Sequence, residues 1–213
     1  GVLRDDRVSV FEGLRNLDKL PLEMRHFLGQ SRLLMVTKAN RRATVHRPAH
    51  LDTIGVKKFD DSGTLTGERL FVGLLTSVAY NRSPREIPLL RRKVANVMAR
   101  AGFAPSSHDG KALQHILDTF PRDELFQIPE DELFDTALGI LHLQERQRIA
   151  LFVRRDPFER FVSCLVYLPR DRFNTELRLR FQAILARAFN GRVGTYNAHM
   201  TEAALGRLQI VVE

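Results

Sequence analysis

Apolar positions along this chain change their spacing as the sequence proceeds, and each change predicts an element. Phe11, Leu14, Leu17 and Leu20 recur every third residue until Pro21 interrupts them. Met24, Phe27 and Leu28 form a second small group before Gly29, so residues 1–30 read as a short N-terminal helical segment. The spacing then tightens to short apolar runs at 33–36, 44–46, 54–59 and 70–76, which read as strands. Pro48 limits the second run to an edge or an end, because proline cannot donate to a ladder. Asp60-Asp61-Ser62-Gly63 carries turn chemistry, so the third and fourth runs predict a hairpin.

Helical spacing returns after residue 80. Ser83 is a candidate N-cap, Pro84 suits a first helical position, and Glu86 can complete a capping box. Ile87, Leu90, Val94, Val97 and Met98 then share a face, and Gly102 stands where a left-handed C-cap belongs, predicting a helix over 84–101. Ser106 or Ser107 opens a second helix over 109–120, with Leu113, Ile116, Leu117 and Phe120 buried and Pro121 as the stop. Pro129 opens a third over 129–146, whose first turn carries Glu130, Asp131 and Glu132 at the positive end of the dipole. Strands followed by helices predict an α+β domain with an antiparallel sheet.

Two apolar runs follow, 149–153 and 161–168, separated by an Asp156-Pro157 turn, and they read as paired antiparallel strands. Asn174 caps a helix holding Leu177, Phe181, Ile184, Leu185 and Ala188, which Gly191 ends. Strands are expected at 192–199 and 207–212. This order begins a ferredoxin-like unit, which one further helix and strand would complete. The expected organisation is α+β throughout: a helical segment over 1–30, a PAS-like sensor-type domain over 31–145, and an ACT-like βαββ module over 146–213, with its truncation left open.

Several long stretches also carry a resemblance. NRSPREIPLLRRKV, AGFAPSSHDGKAL, TFPRDELFQI and FVRRDPFERFVSCLVYLPRDRFNTELR resemble the N-terminal, non-catalytic region of the large class of bacterial NAD-specific glutamate dehydrogenases. The resemblance extends from about residue 47 to about residue 180 and weakens at both ends. It implies a regulatory or oligomerisation region of an enzyme that interconverts L-glutamate and 2-oxoglutarate plus ammonia. It implies further that NAD binds elsewhere in the parent polypeptide, with neither catalytic residues nor a cofactor in this stretch. The implied partners are the rest of the parent polypeptide, a homo-oligomer and an amino-acid effector. The first residue is glycine, not methionine, which fits the same expectation of a piece of a longer protein.

Composition narrows the picture. A hydrophobic content of 44% is ample for a core, and no apolar run approaches the ~18 residues of a membrane span. The first residues, GVLRDDR, are no secretory signal. One cysteine, Cys164, excludes an internal disulfide and fits a reducing cytoplasm. The net charge is +8 and the isoelectric point near 10.2, but the charge is distributed in blocks. Residues 103–145 hold only Lys111 and Arg122 against nine acids, between a basic front and a basic tail. Charge complementarity within or between chains accounts for that pattern. A nucleic-acid-binding module is the alternative, as is a purely structural assembly domain, and no aromatic-interleaved basic motif supports the former.

Candidate chemistry is sparse. Ser107-His108-Asp109 has the letters of a triad, but sequence neighbours do not face one another on a helix, so capping is the better account. His46 and His50 have ligand spacing only on a helix, and Pro48 lies between them. No glycine-rich phosphate motif is present, and no metal site is expected. Arg91, Arg92 and Lys93, with Arg82 and Arg85, form a basic cluster whose expected internal partner is the acidic stretch 123–135. Cys164 sits among apolar neighbours and reads as a buried, inert thiol. The site expectation falls on the strand-to-helix loop 169–174. There the resemblance to ACT-type modules implies an effector carboxylate near Arg170, Arg172 and Asn174, at a helix N-terminus. The loop lacks the glycine common in such modules.

Overall fold

The computed structural model describes residues 33–45, 49–145, 147–201 and 203–213. The expected helical segment 1–30, and His46 with Pro48, lie outside the described residues. Contacts group the chain into two compact units: residues up to 91 with 121–127, and residues 92–120 with 128–213.

The first unit holds an antiparallel meander in the order β1 (Leu34–Arg42), β2 (His50–Phe59), β3 (Leu65–Gly73). Leu34 pairs with Val56, Ile54 with Phe71, and Asp60 Oδ1 accepts from the Ser62 and Thr64 amides in the turn that closes the predicted hairpin. Three strands stand where about four were expected. Thr44 and Val45 lie outside any strand, and the first strand runs on as far as Arg42. The buried positions of this sheet are strongly polar: Thr37, Asp52, Thr53 and Lys57 are buried alongside Met35 and Ala39. Met35, Thr37, Ala39, Thr53 and Lys57 share one face, whereas Leu34 and Phe71 are exposed on the face that also carries Asp52.

Two short helices of this unit were not predicted, α1 (Ser77–Asn81) and α4 (Arg122–Gln127). Each is too short for a helical period to show. The predicted 70–76 strand accordingly stops at Gly73. The next helix, α2 (Pro88–Ala101), starts four residues later than expected. Ser83 does cap, but it caps a 3-10 turn, Pro84–Glu86, through the Arg85 amide. Pro88 holds the preceding Ile87 in an extended conformation and so resets the helix start.

The second unit contains α3 (His108–Thr119), α5 (Glu130–Glu145), β4 (Ala150–Arg155), β5 (Val162–Pro169), α6 (Thr175–Ala188), β6 (Val193–His199) and β7 (Leu205–Val212). Predicted caps hold here. Ser107 Oγ accepts from the Gly110 amide at 3.0 Å, and Asn174 Oδ1 accepts from the Leu177 amide at 2.7 Å. The left-handed residue ending α6 is Asn190 (φ 50°) rather than Gly191, whose amide instead bonds Ala186 O.

The four strands form one antiparallel sheet in the order β4-β5-β7-β6. β5, α6 and β6 make a split βαβ, with β7 inserted between the two parallel strands. The edge position beside β5 is taken by β4, a strand that precedes it in sequence. Every second residue of β5 and β7 enters the core with α6: Cys164, Val166, Leu168, Leu208, Ile210 and Val212 meet Leu177, Phe181, Leu185 and Phe189. At ~25 cal/mol per Å², six such buried side chains supply on the order of 10 kcal/mol before conformational entropy is charged. The other sheet face is met by α5, where a Cβ on Gly139 would come within 2.6 Å of the Phe152 ring. Glycine at that helical position is what permits the close approach. Phe152 in turn sits edge-on to Tyr167, with centroids 5.9 Å apart.

Candidate functional site

The expected loop is short and well tied. β5 ends at Pro169, a 3-10 turn spans Arg170–Arg172, and α6 begins after Asn174. The Arg170 amide donates to Ala204 O at 2.9 Å, and its guanidinium donates to Thr201 O at 3.2 Å. Arg170 thereby links the loop to the connection between β6 and β7. Arg172 is exposed in the same turn. Asn174 spends its side-chain oxygen on the Leu177 amide, so one of the helix-start donors that could meet an anion is already used. The structure places the three residues together at one end of the sheet and gives Asn174 a capping role.

The neighbouring sheet face carries polar groups. Arg207, on β7, donates to Thr119 O at 2.7 Å. Burial raises the Tyr167 hydroxyl above its usual range, and the nearby Arg207 charge offsets part of that. Burial, then the Arg207 charge, lowers His199 below the ordinary histidine range. Asp156, predicted as a turn residue, is fully buried. It accepts from the Phe158 amide and from Arg160 Nε at 2.7 Å and Nη2 at 2.9 Å, so the turn is clasped by its own ion pair.

The first unit holds a charged network that sequence reading missed. Lys38 Nζ, from β1, lies 2.5 Å from Asp52 Oδ1 on β2 and 3.1 Å from Asp123 Oδ1 on α4. Tyr80, from α1, donates to Asp123 at 2.8 Å, and Asp52 Oδ2 accepts from the Leu75 amide. Burial alone would lower the Lys38 ammonium, yet Asp123 and Asp52 together outweigh it and hold it above the usual lysine range. Burial, reinforced by the Asp123 charge, pushes Tyr80 up to about 12. The network fastens both unpredicted short helices to the sheet. Tyr80 and Asp123 lie 43 residues apart in sequence and Lys38 and Asp123 further still, so no local motif could reveal it. Lys38 and Asp52 stand in strands that also carry other polar residues, so neither stood out in the sequence.

The remaining candidates resolve simply. Ser107 caps and His108 and Asp109 are exposed on α3, so the three are not convergent. His50 Nδ1 lies 3.1 Å from Ala39 O at the start of β2. Cys164 is fully buried. Arg91 and Arg92 are exposed, whereas Lys93 donates to Ile128 O at 2.7 Å. Three acids of 123–135 have partners outside the basic cluster: Arg100 binds Asp131 at 2.6 Å, Asn96 donates to Glu130, and Lys38 binds Asp123. Among the described residues no cluster of three or more His, Cys, Asp or Glu could hold a metal ion, and no helix is long and apolar enough to cross a membrane.

Residues 87–146 match the family described as glutamate dehydrogenase, helical motif 1, and residues 150–213 match the glutamate dehydrogenase ACT2 domain. A protein of Halomonas elongata named NAD-specific glutamate dehydrogenase is 44% identical over 212 residues, all of this chain but 13% of the relative. Proteins of the same name from Pseudomonas aeruginosa and Mycobacterium tuberculosis are 42% and 34% identical over 87% and 85% of the chain. They too extend well beyond it, since the matched stretches are 12% and 11% of their lengths.

Proposed function

The chain belongs to the NAD-specific glutamate dehydrogenase family, of whose relatives it spans about an eighth, and from that premise we propose that it is a non-catalytic region serving regulation and assembly. The parent would oxidise L-glutamate with NAD to 2-oxoglutarate and ammonia in the cytoplasm, with the cofactor held elsewhere in the polypeptide. The reading takes residues 31–145 as a PAS-like sensor-type domain and residues 146–213 as an ACT-like module through which an amino-acid effector acts on a homo-oligomer.

The observation that supports it best is the split βαβ sheet with its strand-to-helix turn tied by Arg170 to residues 201–204. A carboxylate beside the start of α6 would be met by Arg170 and Arg172, and the Asn174 side-chain amide would donate to it. An effector can act only through unequal affinity for two states, and a turn that joins two strand ends is placed to sense such a difference.

Thermal unfolding against a panel of amino acids and central-metabolism carboxylates tests the proposal, with NAD and short DNA as controls. A ligand at 100 times its dissociation constant stabilises by about 2.7 kcal/mol, a shift of a few degrees. The expected result is a shift with one amino acid that Arg170→Ala abolishes. Absence of any shift while the protein self-associates would leave assembly alone. A DNA-induced shift that disappears with salt would overturn the reading.

A further inference from the structure

A band of apolar side chains lies open on the α6 side of the sheet, at the β4 edge. Leu151 pairs with Val166 and Val153 with Cys164, and both partners belong to the core under α6. Directly paired residues point to the same face. Leu151, Val153 and, through its pairing with Val162, Arg155 therefore project on the side of α6, and Ile149 immediately precedes the strand. Leu151 is 47% exposed, Val153 43% and Ile149 47%. The opposite face of the same strand is closed by Phe152 against α5.

The helix beside the band is oriented by its contacts. Arg178 stacks over Tyr196 of β6, 4.4 Å from the ring centroid, so that flank of α6 faces the far edge. Leu177, Phe181 and Leu185 point down into the core. Helical spacing then turns Ile184, Arg180 and Arg187 toward the β4 side. Ile184 is 45% exposed, and both arginines are exposed. Leu151, Val153 and Ile184 thus form an apolar strip rimmed by Arg155, Arg180 and Arg187, with Glu176 as the one acid on that helix flank, at its N-terminal end. α6 covers one half of this sheet face, and the β4 half has no helix over it among the described residues.

We propose that this strip seats an amphipathic helix with acidic flanks, supplied by the remainder of the same enzyme polypeptide. The apolar strip runs along β4 beside α6, as a helix laid next to α6 would require. The rim carries three arginines, so it repels a second copy of itself and favours a helix edged by Asp or Glu. The curated relatives continue far beyond this stretch, which leaves ample chain to supply such a helix. The inference rests on the chain being part of a longer enzyme and is independent of any effector.

The test uses the full-length enzyme with a photo-crosslinking p-benzoylphenylalanine placed at Ile184 or, separately, at Leu151. Both positions are nearly half exposed, so the probe leaves the fold intact. Irradiation should give a crosslink within one polypeptide, without doubling of mass on a denaturing gel. Mass spectrometry should place it in a peptide outside this stretch, amphipathic and flanked by acids. Arg180→Glu with Arg187→Glu should lower the yield at Ile184 about fivefold, the order expected for two rim charges. A doubled mass would mean a second copy occupies the strip. Absence of any crosslink at both positions would mean nothing does. A captured peptide without acids would remove the charge argument. Each of these three results overturns the proposal, and none depends on an amino-acid effector being found.

Discussion

The two sheets of this chain solve the same problem by opposite means. In the four-stranded sheet the buried alternate positions are Cys164, Val166, Leu168, Leu208, Ile210 and Val212, and the helix above contributes Leu185. In the three-stranded sheet the buried positions include Thr37, Asp52, Thr53 and Lys57, and the short helices are tied on by Lys38, Asp123 and Tyr80. An apolar core is non-directional and tolerates small shifts, whereas a charged network holds only while each member keeps its partner. The first unit should therefore be the one that responds to charge and pH, and the second the one that responds to volume.

Removing volume should break the second unit hardest. Leu208 is fully buried between β5 and α6, so Leu208→Ala should cost about 3 kcal/mol in chemical denaturation, from lost transfer energy plus the cavity left behind. Loss of much less than ~1 kcal/mol would mean that the sheet is not the stable element inferred here.

Removing one charge should come next. Asp52→Ala removes one carboxylate partner of Lys38 and one acceptor of the Leu75 amide, for an expected cost of about 2 kcal/mol. Pairing it with Lys38→Met should recover part of that loss, since the lysine charge that Asp52 offset is then gone as well. A double-mutant cycle showing no coupling would dissolve the contrast between the two sheets.

A smaller effect belongs to the cap at the start of α6. Asn174→Ala removes the acceptor for the Leu177 amide and should cost about 1 kcal/mol, read from the same denaturation curves. The change also separates capping from ligand contact, because a Gly replacement should restore most of the stability without restoring a side-chain donor.

The smallest effect has a distinctive pH profile. Tyr80 keeps its proton to about pH 12 in the folded chain, against 10.0 ordinarily. Between those values the native state binds more protons than the unfolded state, so stability falls as pH rises and is flat below that window. Lys38, raised above 10.5, has the same sign. Tyr80→Phe should cost about 0.5–1 kcal/mol at neutral pH through the lost hydrogen bond to Asp123. It should also make the alkaline decline shallower, as amide exchange across β1 and β2 would report. An unchanged slope would remove Tyr80 from the network.

Local chemistry carried most of the secondary structure. Ser107 and Asn174 cap as their positions predict, Gly102 takes a left-handed conformation at φ 68°, and the Asp60 turn closes its hairpin. Each of these depends on one residue and the few amides beside it, so the sequence by itself determined them. The split βαβ order was legible for the same reason, since long apolar runs of strand and helix period alternate there. The short helices Ser77–Asn81 and Arg122–Gln127 were not legible, because about one turn is too little for a period to show and their stability comes from Tyr80 and Asp123 meeting Lys38. The pairing of β4 with β5 was legible too, from two apolar runs either side of the Asp156-Pro157 turn. What only three dimensions decided is the uncovered strip of Leu151, Val153 and Ile184. Sequence pattern states which residues are apolar along each element. Which of those faces find cover depends on the order in which strands assemble into a sheet, and that order is set by contacts between residues far apart along the chain.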